Sequence, residues 1–284
     1  MAFNPNAVFI SPSTLGDFEK CPQLYYLRSV YKSSQTGLKL QLINPALALG
    51  QSVHDTIEQF GKLDPKERAK EKLEQIYEIV WSTISGEKGG FTNQDEEKEY
   101  KDRGWLMLDR FFKHPHFVAT TQIKTPDFPK AELGDDIILT GKLDWIESLG
   151  DGFHIIDFKT GKNEEKEDSL QLPIYALLAG HIFKSSDVKT SYWYLDKEDD
   201  LRDYTLPDME EFVKTLKQKG TIIKLARQTN SFRCPKGESC WACKDMLAIK
   251  NGKGKLVAID AARKQEIYIL PKNEVSGVPS DLPF

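Results

Sequence analysis

Between positions 14 and 112 the apolar residues recur at helical spacing, and beyond Pro115 they gather in short dense runs. Ser11-Pro12-Ser13 reads as a helix start, with a hydroxyl cap and a proline in the first turn. Leu15, Phe18, Leu24, Leu27 and Tyr31 then predict a helix over 14–31. Ser33 to Ile43 reads as loop. Ala46, Leu49, Val53, Ile57 and Phe60 predict a second helix from Pro45 to Phe60. Asp64-Pro65 opens a third, carrying Ala69, Leu73, Ile76, Val80 and Trp81 on one face. Gly86 to Thr92 interrupts the pattern, and Asn93 to Phe112 resumes it.

Phe117 to Lys124 alternates as a strand does. Ile137–Glu147 and Phe153–Lys159 are β-rich runs joined by the turn Leu149-Gly150-Asp151-Gly152. Leu170 to Phe183 is apolar and helical, and Ser191 to Leu195 is an aromatic strand with Arg202–Leu206 as its expected partner. Asp208 to Arg227 is an amphipathic helix, Ser231 to Cys243 a cysteine loop, and Gln265 to Leu270 a short strand in an otherwise unpatterned tail. No internal repeat interrupts this order. The expected class is α/β (α+β): a helical N-terminal part, then a mixed central β-sheet flanked by helices, then a C-terminal cysteine-cluster region.

Composition narrows the class of function. With 39% hydrophobic and 29% charged residues, the 284-residue chain is neither disordered nor fibrous. No run approaches the roughly 18 apolar residues of a membrane span. Met1–Ile10 has no basic and apolar leader, so a cytoplasmic protein is expected. The net charge of −4 excludes a uniformly basic nucleic-acid binder. It leaves room for a local patch, because Lys214–Lys255 holds 11 Lys or Arg against 2 Asp or Glu. That stretch reads as a phosphate-binding face or as a solvated Lys-rich helix with a loose tail.

The candidate chemistry lies in GKLDWIESLGDGFHIIDFKTG, Gly141 to Gly161. Asp144 falls in the first predicted strand and Asp157 in the second, with Lys159 two residues on and so on the same face. Two carboxylates there can supply hard oxygen ligands to Mg²⁺ or Mn²⁺, and the lysine can stabilise charge on a phosphate. A cross-strand salt bridge on an exposed face is the plainer reading. Ile155 and Ile156 weigh against it, because they place the acid at the end of an apolar strand. Gln171 and Tyr175 stand one helical turn apart, as do His54 and Glu58. Cys21, Cys234, Cys240 and Cys243 point to metal or redox chemistry rather than disulfides. No βαβ setting of thioredoxin kind precedes Cys-Trp-Ala-Cys.

IIDFKTG resembles the core motif of the PD-(D/E)XK nuclease superfamily, in its RecB-like branch. LTGKLDWIE resembles that branch's preceding motif, SLQLPIYALLAG its QxxxY helix, and LGQSVHDTIEQF its upstream helix. ISPSTLGDFEKCPQLYYLRSVY resembles its N-terminal segment. These blocks keep the family's order from Ile10 to Gly180. The resemblance implies a restriction-endonuclease-like core within one nuclease domain over 1–250. That domain divides into a helical part near 1–115, a catalytic part near 116–228 and a cysteine loop near 229–250, ahead of a tail at 251–284.

The resemblance also implies metal-dependent hydrolysis of DNA, with single-stranded DNA and exonuclease action expected. His54, Asp144, Asp157 and the Phe158 carbonyl would hold Mg²⁺ or Mn²⁺, while Lys159, Gln171 and Tyr175 complete the site. Tyr192, Trp193 and Tyr194 are candidates for base stacking, although alternation turns at least one of them inward. AddB-type subunits and CRISPR-associated exonucleases close this domain with a [4Fe–4S] cluster on one early and three late cysteines. Cys21, Cys234, Cys240 and Cys243 match that division, with Zn²⁺ as the alternative. The late spacing here, C-x5-C-x2-C, runs in reverse of the usual order. No G-x4-G-K-[ST] loop is present, so the chain resembles a stand-alone nuclease of CRISPR adaptation, repair or phage replication; the resemblance leaves room for a helicase or a CRISPR-adaptation or repair protein as partner, and oligomerisation is open. The alternative is a non-catalytic DNA-binding or adaptor module in a DNA-processing complex.

Overall fold

A computed structural model describes residues 4, 7–185, 187–237 and 240–271. Of the expected tail, 272–284 lie outside the described residues. The first expected helix is two pieces, α1 (Pro12–Lys20) and α2 (Pro22–Tyr25), the second running on into a π-turn at Tyr26–Val30. Cys21 between them is extended, with φ −169° and ψ 122°. Pro22 is the cause, since its ring excludes the residue before it from helical ψ. The start is as expected: Ser11 Oγ accepts from Thr14 N, and Ser11 N donates to Thr14 Oγ1.

The next helices match their apolar stripes. α3 (Pro45–Gly61) is capped by Asn44, α4 is Lys70–Ser82, and α5 (Gln94–Lys113) is capped by Asn93. Leu49, Val53, Ile57 and Phe60 of α3 pack with Leu73, Tyr77 and Trp81 of α4 and with Met107 and Phe111 of α5. The strand expected over 117–124 does not form. Pro115 starts a short helix instead, α6 (Pro115–Ala119), which drives Phe117 between Trp145 and Trp193.

Among the described residues the strands form three sheets. β1 (Val8–Ile10) pairs in parallel with β4 (Ile137–Thr140), which pairs antiparallel with β3 (Lys130–Gly134). The central mixed sheet has the order β5 (Trp145–Leu149), β6 (Gly152–Lys159), β7 (Val188–Tyr194), β8 (Arg202–Tyr204). Its β6–β7 pair is parallel and its outer pairs are antiparallel. The run expected as one strand over 137–147 is therefore broken at Gly141–Asp144, and Asp144 lies just before β5 rather than in a strand.

A third sheet holds β2 (Lys39–Leu42), β9 (Lys255–Asp260) and β10 (Gln265–Ile269). β2 falls in a stretch read as loop, and β9 in one read as unpatterned. β2 is held by parallel pairing with β10, over two hundred residues away, a partner no local pattern announces.

The central sheet is covered on both faces. Trp145, Ile156, Phe158 and Trp193 face the α3–α5 layer. Ile146, Ile155, Tyr192 and Tyr194 face α7 (Gln171–Phe183), while α8 (Met209–Gln228) packs on the β1–β4–β3 sheet. This is a mixed α/β architecture of helix, sheet and helix layers. Tyr192, Trp193 and Tyr194 are thus all buried, so the expectation that they stack bases is wrong. The strand packs helices on both faces, which leaves neither side of its alternation open to solvent. None of the described helices is long and apolar enough to cross a membrane.

Candidate active site

Trp145 pairs with Ile156 at the open end of the β5–β6 hairpin. One step further along that register Asp144 stands opposite Asp157. Because β5 starts only at Trp145, the Phe158 edge has no strand beyond it there, and the Phe158 N–H donates to Asp144 Oδ2 at 3.1 Å. The N–H and C=O of one strand residue leave the same edge, so the Phe158 carbonyl lies on the Asp144 side. Asp157 and Lys159 share the other face of β6 with Ile155. α3 approaches from the opposite layer, where His54 Nδ1 lies 3.2 Å from Asp144 Oδ1.

α7 closes the group. Gln171, at its first turn, is 4% exposed and bridges the two ends of the D-x-K pair. Its Nε2 donates to Asp157 Oδ1 at 2.7 Å, and its Oε1 accepts from Lys159 Nζ. The same Nε2 lies 3.1 Å from Tyr175 OH, one turn on. Room for the Tyr175 ring comes from Gly141, where a Cβ would sit 2.9 Å from Tyr175 Cε1. The structure thus gathers His54, Asp144, Asp157, Phe158, Lys159, Gln171 and Tyr175 in one place. Glu58 is turned away to Lys142 and Lys62, each at 2.6 Å.

Glu165 is a member that sequence reasoning missed. Its Oε1 lies 2.9 Å from Lys159 Nζ, and its backbone N–H donates to Tyr194 OH at 3.0 Å. It sits in the charged run after Lys159, where Glu164, Glu165 and Glu167 look alike in the sequence. The Tyr192 ring lies 5.1 Å from the Lys159 ammonium.

Burial dominates the electrostatics. It pushes the Asp157 carboxyl up, and although Lys159 pulls the other way, Asp144 adds to the rise and the value settles at about 7. Burial also acts on Lys159, but Asp157 and Glu165 outweigh it and raise the ammonium above its ordinary value. Lys159 is therefore a fixed positive charge at neutral pH. Burial likewise opposes the charged forms of His54 and Asp144. Their mutual attraction wins, raising the imidazole and lowering the carboxyl.

Two carboxylates, an imidazole and a free carbonyl edge suit a divalent cation of the Mg²⁺ or Mn²⁺ kind. Asp157 Oδ2 is buried with no hydrogen-bond partner, although the Lys159 charge lies 3.1 Å away. A cation would use that oxygen. The set is looser than the cysteine group, which among the described residues is the one group of three or more His, Cys, Asp or Glu donors closed to within 4.8 Å.

A scan against family models matches residues 10–244 to the PD-(D/E)XK nuclease superfamily. The chain belongs to that superfamily. A solved structure named “Putative exonuclease”, from Eubacterium rectale, is 12% identical over 84% of this chain and 87% of its own, with a TM-score of 0.48. No curated protein matches. In this nuclease the sequence Asp157-Phe158-Lys159 ends β6, and Asp144 stands at the break before β5.

Two other groups in the nuclease bear on chemistry. Cys21, Cys234, Cys240 and Cys243 meet where the α1–α2 break, the 234–243 loop and α9 (Lys244–Lys250) converge. Cys21, Cys240 and Cys243 are each at most 1% exposed. Burial pushes the Cys21 and Cys243 thiols up, whereas backbone N–H groups of Cys243 and Ala242 outweigh burial at Cys240 and bring it down to about 7. Four thiols in one buried space suit a metal centre.

The second group is a chain across the sheet face opposite Asp157. Glu147 accepts from Trp145 Nε1 at 2.8 Å and meets His116 Nε2 at 2.7 Å and His154 Nδ1 at 3.2 Å. His154 Nε2 lies 2.8 Å from Ser191 Oγ. Ser191, His154 and Glu147 stand in nucleophile–base–acid order. Yet Ser191 is 0% exposed and donates to Asp203, so no substrate reaches it. The basic face expected over 214–255 is partly neutralised by the protein itself: Lys219 pairs with Glu19, Lys224 with Asp136 and Lys255 with Glu87.

Proposed function

We propose that this nuclease is a metal-dependent deoxyribonuclease of the RecB-like branch, acting as an exonuclease on single-stranded DNA. The observation that carries the reading is the buried pair Asp157 and Lys159, tied together by the Gln171 amide, with Asp144 held beside them by the Phe158 N–H. His54, Asp144, Asp157 and the Phe158 carbonyl would hold Mg²⁺ or Mn²⁺, and the imidazole in the set favours Mn²⁺. When bound, that cation supplies Lewis-acid polarisation of the phosphate and a water of lowered pKa.

The chain's own residues supply the rest. Lys159 keeps its proton at neutral pH, so its part is to hold positive charge against the phosphate oxygens rather than to act as base. Gln171 fixes Lys159 relative to Asp157, and Tyr175 fixes Gln171. Glu165 also holds the ammonium, at 2.9 Å. An adaptor that had lost catalysis would have no need to keep Asp157 and Lys159 buried together beside Asp144.

The four cysteines are a structural metal centre in this reading. Zinc–sulfur bonds of about 2.3 Å place four sulfurs roughly 3.8 Å apart, which suits a cage closed to within 4.8 Å. The family resemblance favours [4Fe–4S], whose irons lie between the thiolates and need a wider cage. Metal analysis of anaerobically purified protein separates the two.

The test of function is cleavage of end-labelled single- and double-stranded DNA with Mn²⁺ or Mg²⁺, wild type beside Asp157→Ala. Stepwise shortening of single strands by wild type alone is the expected result. Equal cleavage by Asp157→Ala, or none by folded, metal-replete wild type, would overturn it.

A further inference from the structure

We infer that Trp241 is a stacking platform for a base of single-stranded DNA, presented at the surface by the cysteine cage. The inference rests on the nuclease reading above and says where the strand is gripped outside the catalytic group. Trp241 is 48% exposed, whereas Trp81, Trp145 and Trp193 are each at most 2% exposed. The indole therefore adds little to the core. The backbone on either side of it is nevertheless anchored, because Cys240 and Cys243 are each 1% exposed. A large flat side chain on an anchored turn loses little freedom when a partner lies against it.

Arg233 and Lys244 each stand one residue from a cysteine of the cage, as Trp241 does, and that charge identifies the partner. Arg233, Lys236 and Lys250 are exposed and Lys244 is half-buried. Across 229–250 the sequence holds four Lys or Arg against two acids, Glu238 and Asp245, and Asp245 is buried. The Lys250 ammonium lies 5.8 Å from the Tyr26 ring and 5.1 Å from the Tyr31 ring, which continues the mixture of aromatics and cations. An interface for another protein would be poor in lysine at its centre. Cations flanking an exposed aromatic are the means by which single strands are held without regard to sequence. In a duplex the base faces are already stacked on one another, so the indole selects a single strand. This part of the chain also leads to the catalytic group, since β2 packs beside the cysteines and α3, which bears His54, begins at Pro45 just after it.

The experiment uses the full chain with its native metal content, carrying Asp157→Asn to prevent cleavage, and a thymidine oligonucleotide as probe. Trp241→Ala is expected to weaken binding by about 5- to 150-fold, and Trp241→Phe to restore most of it. DNA should shield the exposed tryptophan from acrylamide quenching in the parent and leave quenching unchanged in Trp241→Phe. Melting temperature and metal content should match the parent in both variants. Unchanged affinity in Trp241→Ala overturns the inference, as does a loss that tracks metal loss and is not rescued by phenylalanine. If otherwise wild-type protein cleaves DNA while Trp241→Ala binds normally, the inference alone falls. If wild type neither binds nor cleaves DNA, the nuclease reading falls with it.

Discussion

The Glu165 carboxylate lies 2.9 Å from the Lys159 ammonium, which also donates to the Gln171 amide oxygen. The lysine is therefore gripped by an acid from a loop, an acid from its own strand and an amide from a helix. Removing the lysine removes a charge that the phosphate needs, whereas removing Glu165 only loosens it. Lys159→Ala should lower the cleavage rate by about 10²–10³-fold or more. Glu165→Gln should cost roughly tenfold and leave metal binding intact. Single-turnover cleavage of end-labelled DNA, run with titration of Mn²⁺, checks both. A Glu165→Gln protein as inactive as Lys159→Ala would mean that Glu165 does more than hold the lysine.

A second expectation concerns pH. Burial, reinforced by Asp144, lifts the Asp157 carboxyl to about 7, above its ordinary 3.8. Between those values the folded protein binds a proton that the unfolded chain does not, so metal-free stability falls as pH rises through that window. A divalent cation competes for the same carboxylate. Its binding should release protons near pH 6, from Asp157 and from the His54 imidazole, and tighten as pH rises toward 7. Calorimetry in buffers of different ionisation heat reads the proton directly. Binding of Mn²⁺ with no proton release at pH 6 would contradict the assignment of Asp157 as a ligand.

The site was legible where its residues carry local pattern. Asp157 and Lys159 share a strand face by simple alternation, and Gln171 and Tyr175 share a helix face by spacing. His54 could be placed only by family resemblance, because α3 meets Asp144 through tertiary packing. Glu165 was missed since nothing distinguishes it from neighbouring acids until the Lys159 side chain selects it. The same division runs through the fold. Helices with an apolar stripe, such as Gln94–Lys113, were read to within a residue or so, whereas β2 exists only through its pairing with β10. The strand expected at Phe117 failed because Pro115 supplies a helix start that outweighs a short alternation.

The buried Glu147 offers a test of stability separate from catalysis. Burial raises its carboxyl, but the contacts from His154, Trp145 and His116 outweigh that and hold it below the usual range. Such a group stabilises the fold above its unfolded value of 4.5, and this is lost as pH falls through the depressed folded value. Glu147→Gln should cost about 1–3 kcal/mol at pH 7. It should also flatten the acid limb of the stability curve. Urea unfolding at pH 7 and below pH 4.5 measures both, and an unchanged acid limb would show that Glu147 does not govern it.

The cysteine centre makes the final prediction. Cys21, Cys240 and Cys243 are not appended to a core here; they form one, together with Leu24, Leu27, Leu40, Met246 and Ile249. That small core joins the α1–α2 break to α9 and to β2. Its thiols become metal ligands only when deprotonated, and burial holds Cys21 and Cys243 in the protonated form. A bound metal would reverse that, so its binding energy is also folding energy for this corner. Cys21→Ala should therefore lose metal and lower the melting temperature together, while Cys21→Ser should recover neither fully. Iron with sulfide and a visible absorption band would identify a cluster, and stoichiometric zinc without colour a single ion. A Cys21→Ala protein with full metal content and an unchanged melting temperature would show that Cys21 is not a ligand, and that the cage is closed by packing alone.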